Sequence, residues 1–337
     1  MKKSVKWVLL LGITVVSLGL GVAIGSADIL LSDVGSILLH KVFGATLPEH
    51  VKAIDASILW SIRFPQAVMA FLVGAALAAS GTVMQSVLRN PLASSYTIGV
   101  SSGASLMAAI VIVSGISILG RYTLPLAGFA GGLATVFIAM AITMHFDRSL
   151  ENHTIILVGM VLSLFVNAML TLITALSSNH LKQLIFWQMG SFNGQTWQNG
   201  GIMLVIILVC MVVLQRYAKE MDLMTFGEEQ ALSAGVNLKT AKLILIAIAA
   251  LLTGSAVSMV GIIGFVDLIA PHMVRRYFGS NHRVVVPAAA LAGGSLMVIA
   301  DLIGRTVLAP RQLPVGAVTA LIGAPFFAYI YFRRKKG

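Results

Sequence analysis

Charge is scarce in this sequence: Asp, Glu, Lys and Arg make up 10% of its 337 residues, against roughly a quarter in a soluble globular chain. So few charges cannot cover a water-facing surface, which makes lipid the expected solvent for most of the chain. Cysteine is scarcer still. Cys210 stands alone in an apolar run, which excludes a disulfide framework and marks a packing residue. No G-x-x-x-x-G-K-[ST] phosphate loop, H-E-x-x-H or paired Cys/His spacing occurs, so no catalytic residue, metal ligand or cofactor is assigned. The net charge of +11 comes from short basic clusters without interleaved aromatics. Nucleic acid is therefore excluded as a partner, and the basic excess reads as membrane topology.

What the chain has in abundance is apolar sequence, at 58% hydrophobic residues and a mean hydropathy of +0.95. Apolar runs broken by short polar segments predict an all-α, polytopic membrane protein. About ten spans fall near 7–27, 60–82, 95–116, 122–144, 154–177, 200–217, 241–262, 265–277, 284–306 and 315–332. The first follows Lys2, Lys3 and Lys6 and ends at Gly25-Ser26-Ala27, which resembles a cleavage site. At about 20 residues it is longer than a signal-peptide core and suits a retained span. The eighth is short and interrupted near Gly261, Gly264 and Pro271. Placing the N-terminus inside returns the C-terminus inside and puts sixteen of the 23 Lys and Arg residues on the inner side. Both termini are thus expected in the cytoplasm.

The chain repeats at an offset of 180 residues: Gly74 with Gly254, Gly81 with Gly261, Pro91 with Pro271, Gly99 with Gly279. The copies start on spans of opposite direction, so halves of about 60–177 and 241–332 are expected to form an inverted-topology repeat. They lie within one permease-like domain, 1–337. Gly21/Gly25 and Gly128/Gly132 have GxxxG spacing, read here as helix packing within the chain.

Two chemical readings are weak. Gly99-Val100-Ser101-Ser102-Gly103 fits the nucleophile-elbow pattern, but it opens a helical run instead of following a strand. His272, the nearest base candidate, sits beside Pro271 without a triad pattern. An ion-coupled secondary transporter is the alternative function class and would need buried ionisable groups. Asp301 and Arg305 stand four apart and can pair locally, leaving Asp267 as the acid without an evident partner. Met160 and Met169 in the fifth span read as core packing.

The polar interruption at about 218–240, AKEMDLMTFGEEQALSAGVNLKT, predicts a short helix between spans, suited to seating on a motor subunit. Other motifs follow one order along the chain: Arg63-Phe64-Pro65-Gln66, GAALAASGTVMQSVLRNPLA at 74–93, Gly99, Gly103-Ala104, GEEQALSAGV at 227–236, FVDLIAPHMVRR at 265–276, His282-Arg283, Asp301, Arg305, LPVGAVTALIGAPFF at 313–327, and a basic tail.

Over nearly its whole length the chain resembles permease subunits of ABC importers for iron–siderophore complexes, haem and vitamin B12. The resemblance implies a bacterial cytoplasmic-membrane permease that translocates a metal chelate, foremost an iron–siderophore. It implies a second permease chain (identical or not), two cytoplasmic ATPase subunits and an extracellular or periplasmic substrate-binding protein. ATPase coupling falls on Gly227, Glu228, Glu229, Ala231 and Gly235, and binding-protein docking on Arg63 and Arg305 at the outer mouth. The fifth and tenth spans would line the path. Asn90, Pro91, Gly99, Pro271, His272, Arg275, Asp301, Pro314, Gly316 and Pro325 match structural motif positions. Four departures stand out: Gln66 for a second arginine, Gln312 for a glutamate, Asp267 for a glycine, and Ser94-Ser95 for an acidic-Pro pair.

Overall fold

The computed structural model describes residues 3–25, 31–48 and 50–334. Lys2, Ser26, Ala27 and the basic Lys335 and Lys336 lie outside the described residues. Among those described there is no strand. In chain order the helices are α1 (Lys3–Ala23), α2 (Leu31–Phe43), α3 (Ala53–Ile58), α4 (Phe64–Val87), α5 (Val100–Ser114), α6 (Thr123–Phe146), α7 (Asn152–Leu176) and α8 (Leu181–Met189). They continue as α9 (Trp197–Arg216), α10 (Ala218–Phe226), α11 (Glu228–Ser233), α12 (Leu238–Val260), α13 (Val266–Phe278), α14 (His282–Thr306) and α15 (Val315–Arg334).

Each of the ten apolar segments coincides with a helix. Seven helices among the described residues are long and apolar enough to cross a membrane by length and composition. The segments at α5 and α15 are shorter apolar helices, and α13 has only 13 residues. The third segment loses its first residues to a tight turn, Ser95–Ile98.

Prolines shape several helices without ending them. Pro65 follows a widened turn, Leu59–Arg63, where the Phe64 N–H reaches back to Leu59 O. That leaves the Trp60 carbonyl free of its usual partner, and the Trp197 indole donates to it at 2.9 Å. Pro271 lies inside α13, so the expected break occurs only before it, at Gly261–Gly264. The N–H that Pro271 lacks would have bonded to Asp267 O; Gln85 Nε2 donates there instead, at 3.4 Å. Pro287 in α14 frees Arg283 O in the same way, and Gln215 Nε2 takes it at 3.4 Å. Of the three, the Asp267 carbonyl is buried, and at membrane depth such a group needs a protein partner because water is not there to supply one.

Helix α4 is the centre of the molecule, buried along nearly its whole length between α12, α13 and α14. Its alanines and glycines let backbones meet: a side chain at Gly74 would collide with Gly293 O, and one at Gly81 with Asp267 O. Lipid supplies no hydrophobic drive between helices, so this close packing carries the association. Gly21 and Gly25 pack on Val298 and Arg63, and Gly128 and Gly132 on α12 and α5, so both GxxxG pairs serve packing within the chain. Helices α5, α6 and α7 pack together beyond α12, while α1 lies on α14. Met160 and Met169 are not core residues: both are exposed on α7 with Leu164 and Leu172. A helix at the edge of the bundle cannot bury its outer stripe within one chain, whatever its residue types.

Candidate functional site

The 218–240 segment folds as α10, a sharp turn at Gly227, α11 and a second turn at Gly235. Gly227 (φ +146°) and Gly235 (φ +85°) both occupy backbone that favours glycine. At Gly235 the N–H bonds to Leu232 O at 2.9 Å and that of Val236 to Ala231 O at 3.0 Å. This paired pattern closes the C-terminus of α11 with glycine in its left-handed position. Ala231 is buried beneath, whereas Glu229, Gln230, Leu232 and Ser233 face outward. A groove of about 370 Å³ runs beside them, lined by Lys219, Glu220, Leu223, Gly235, Asn237 and Thr240 among others.

Two buried polar clusters tie this segment to the helices. In the first, Asp222 of α10 accepts from His282 twice, from the backbone N–H at 2.9 Å and from Nδ1 at 2.6 Å. Nδ1 is thereby engaged by the carboxylate, and Nε2 lies 2.5 Å from the Ser86 hydroxyl, which also reaches Thr82 O at 2.8 Å. Arg275 Nη2 donates to Ser86 Oγ at 2.8 Å and to Thr82 O at 3.3 Å. Thus α10 is wired to α14, α4 and α13 at once. The order Asp222–His282–Ser86 reproduces the hydrogen bonding of a nucleophile–base–acid relay. Here it is structural: His282 is 0% and Ser86 1% exposed, so no substrate reaches the hydroxyl.

In the second cluster Lys242 of α12, 0% exposed, donates to Glu228 Oε1 at 2.8 Å and to Leu150 O at 2.6 Å. Leu150 is itself buried with φ +58° and sits just before α7. The turn around it is held by Asp147, whose carboxylate accepts from the Ser149 hydroxyl and N–H and from Glu151 N–H. Chiefly through the Ser149 hydroxyl, these donors pull the Asp147 carboxyl down to about 2. A depressed carboxylate supports the fold above its ordinary value and loses that support as pH falls from about 4 toward 2.

The two arginines expected at an outer mouth are not exposed. Arg63 is 4% and Arg305 6% exposed. Arg63 Nη1 donates to Ala23 O at 2.7 Å, and Arg305 Nη2 donates to Gly21 O. These carbonyls belong to the last turn of α1, which lacks intrahelical partners and carries the negative end of the helix dipole. Arg305 Nε also lies 3.4 Å from Asp301 Oδ2, the expected local pair. Gln66 completes the cluster, donating to the two Asp301 oxygens at 3.0 and 3.3 Å. In the single chain helix-end carbonyls draw both side chains inward, so neither charge is freely presented. Arg121 just before α6 and Arg311 just after α14 are exposed, as are Arg148 and Arg283 at the opposite ends of those helices.

The remaining motif residues serve backbone geometry. Asn90 Oδ1 accepts from Leu92 N at 2.9 Å, turning the chain after α4 at Pro91. Gly99 (φ +96°) packs on Thr135 and opens α5, with Ser102 bonded back to Gly99 O. The elbow-like sequence therefore follows no strand. Pro314 O accepts from Ala317 N at 3.1 Å at the start of α15, and Gly316 packs on Met189 O and Ile262 O. Pro325 lies within α15, and the His272 ring meets Phe326 and Phe327. Asp267 has a partner after all, the Ser94 hydroxyl, which donates to its Oδ2.

Sequence reasoning did not find Asp222, Lys242, Ser86 or the role of Gln66. A lysine in the second turn of an apolar helix was the one available signal, since burial there demands a counter-ion.

Residues 13–333 match the FecCD transport family. The chain is 37% identical over 324 residues to the ABC transporter permease protein YvrB of Bacillus subtilis (strain 168), covering 96% of this chain and 92% of the relative. It is 35% identical over 283 residues to the hemin transport system permease protein HmuU of Yersinia pestis, covering 82% and 84%. With the cobalamin import system permease protein BtuC of Halobacterium salinarum it shares 37% over 289 residues, covering 86% and 77%. Among solved structures, an inward-facing conformation of an ABC transporter described as metal-chelate type superimposes with a TM-score of 0.81 at 28% identity, covering 96% and 97%. A match in sequence from end to end, joined to a shared all-helical architecture, makes this chain a member of the FecCD transport family.

Proposed function

We propose that the chain is the translocating subunit of an ATP-driven importer for a bulky metal chelate, with an iron–siderophore complex as the assigned cargo. The observation that carries this reading is the family match across residues 13–333. The relatives named for hemin and cobalamin share one chemistry, a metal held inside a large organic ligand. The exposed face of α7, with Met160, Leu164, Phe165, Met169 and Leu172, suits the apolar periphery of such a ligand better than a bare ion. The assembly would contain a second permease chain, two ATPase subunits and an external binding protein. Ten crossings, both termini cytoplasmic, and an inverted repeat of about 60–177 and 241–332 complete the proposed architecture.

Glu229, Gln230, Leu232 and Ser233 would be the surface that seats on the ATPase, with Gly227, Glu228, Ala231 and Gly235 shaping it. Arg63 and Arg305 would serve binding-protein docking indirectly, by fixing the outer end of α1.

The test is transport by the reconstituted complex with its binding protein, comparing ferric siderophore, hemin and cobalamin. ATP-dependent uptake of the siderophore is expected, while the purified chain alone hydrolyses no ATP. Uptake of only hemin or cobalamin would remove the siderophore assignment, and uptake driven by an ion gradient without ATPase subunits would overturn the whole reading. A narrower prediction concerns Gly235→Val. A β-branched side chain in left-handed backbone costs roughly 1–2 kcal/mol, which should open the α11 turn. ATPase co-purification is expected to fall while membrane insertion holds; undiminished co-purification and uptake would show the segment to be passive.

A further inference from the structure

Lys242 presents a problem of solvation. Its ammonium is fully enclosed, and it has two hydrogen-bond acceptors there, Glu228 Oε1 and Leu150 O. These belong to parts of the chain far apart in sequence. Glu228 begins α11, whose outward side chains form the proposed ATPase seat. Leu150 closes the turn that leads into α7, and that turn is stiffened by the Asp147 bonds to Ser149 and Glu151. The ammonium is 0% exposed although the Glu228 side chain is 30% exposed, so parting from either partner leaves the ammonium short of an acceptor in its enclosed site. Motion of α11 that keeps the ion pair must therefore carry Lys242, and with it the start of α7.

We propose that Lys242 is a positioning residue that locks α11 to the N-terminal end of α7, so that movement at the ATPase seat is delivered to α7 as one body. This rests on the reading of α11 as that seat. Close packing joins α11 to α7 only through intermediates: α11 packs on α10 and α12, α12 packs on α5 and α6, and α7 packs on α5 and α6. The Lys242 ammonium bridges the two groups by one side chain. A structural role alone would require only that the charge be neutralised. A lock requires in addition that the two bonded elements keep their separation while the rest of the complex moves.

The experiment uses the full permease–ATPase complex in nanodiscs, with Cys210 replaced by Ala and spin labels introduced at His153 and Ala234. Both positions are exposed, one in the first turn of α7 and one capping the end of α11. In the parent complex the label separation should be the same without nucleotide and after ATP–vanadate trapping. In Lys242→Met it should shift by several ångström on trapping while ATP hydrolysis continues, and Lys242→Arg should restore the constant separation. If Lys242→Met does not assemble, Lys242→Gln, which keeps a donor for Leu150 O but no charge for Glu228, should show the same shift. A separation that changes in the parent, or stays constant in the uncharged variant, overturns the lock. A crosslink from a cysteine at Gln230 to the ATPase subunit separates the two claims. Its formation together with a contrary label result removes the lock alone; its absence in the parent removes the seat, and the lock with it.

Discussion

Arg305→Ala is expected to destabilise the folded chain by roughly 3–5 kcal/mol, the usual consequence of stranding one member of a buried ion pair. Asp301 would keep only the Gln66 amide as a partner, and the Gly21 carbonyl at the end of α1 would lose its donor. The measurement is denaturant or thermal unfolding of the detergent-solubilised chain. A double variant, Arg305→Leu with Asp301→Leu, should recover part of the loss, because apolar replacement of a whole buried pair is often neutral while Gly21 O and the Gln66 amide still lack their partners. Salt separates this from a surface docking role. An exposed pair contributes about 0.2–1 kcal/mol and is screened, so a variant whose only defect was salt-sensitive binding-protein affinity, at parental stability, would refute the helix-capping account.

Asp222→Ala should be nearly as costly, by a different route. It leaves the N–H and Nδ1 of His282, a residue 0% exposed, without their acceptor. Each unsatisfied buried group costs about 1–3 kcal/mol. Because Asp222 is what ties α10 to α14, hydrogen exchange in 218–226 should rise well before global unfolding. Asp222→Asn, which still offers an acceptor oxygen, should lose about half as much. If α10 exchanges at the parental rate in Asp222→Ala, the network does not hold that helix in place.

Several elements were legible because their causes are local. The turn at Gly235 follows from a glycine after a short helix-favouring run, and the structure closes it with φ +85° and both reverse bonds. The pairing of Asp301 with Arg305 follows from a spacing of four on one helix. Two departures from the family pattern were legible as departures but not as a relation. Asp267 stands where a glycine is usual and Ser94 where an acid is usual, and in the fold the serine donates to the aspartate. Gln66 likewise looked like a lost arginine and proves to be a donor to Asp301.

Composition and apolar runs by themselves determined that this chain is a helical membrane protein and where its ten apolar helices lie, and the order of its motifs carried the family resemblance; the short helices α2, α3 and α8 were not foreseen. Those properties are sums over near neighbours: hydropathy over a window, a proline's missing N–H, a glycine's backbone freedom. Only the tertiary structure decided that Arg63 and Arg305 turn inward to the end of α1, that Asp222 reaches His282, and that Lys242 joins Glu228 to Leu150. Each of those outcomes depends on a polar group whose water has been removed and whose replacement partner comes from another helix. Which partner is within reach is set by the packing of small residues along α4, and no window of sequence contains that distance.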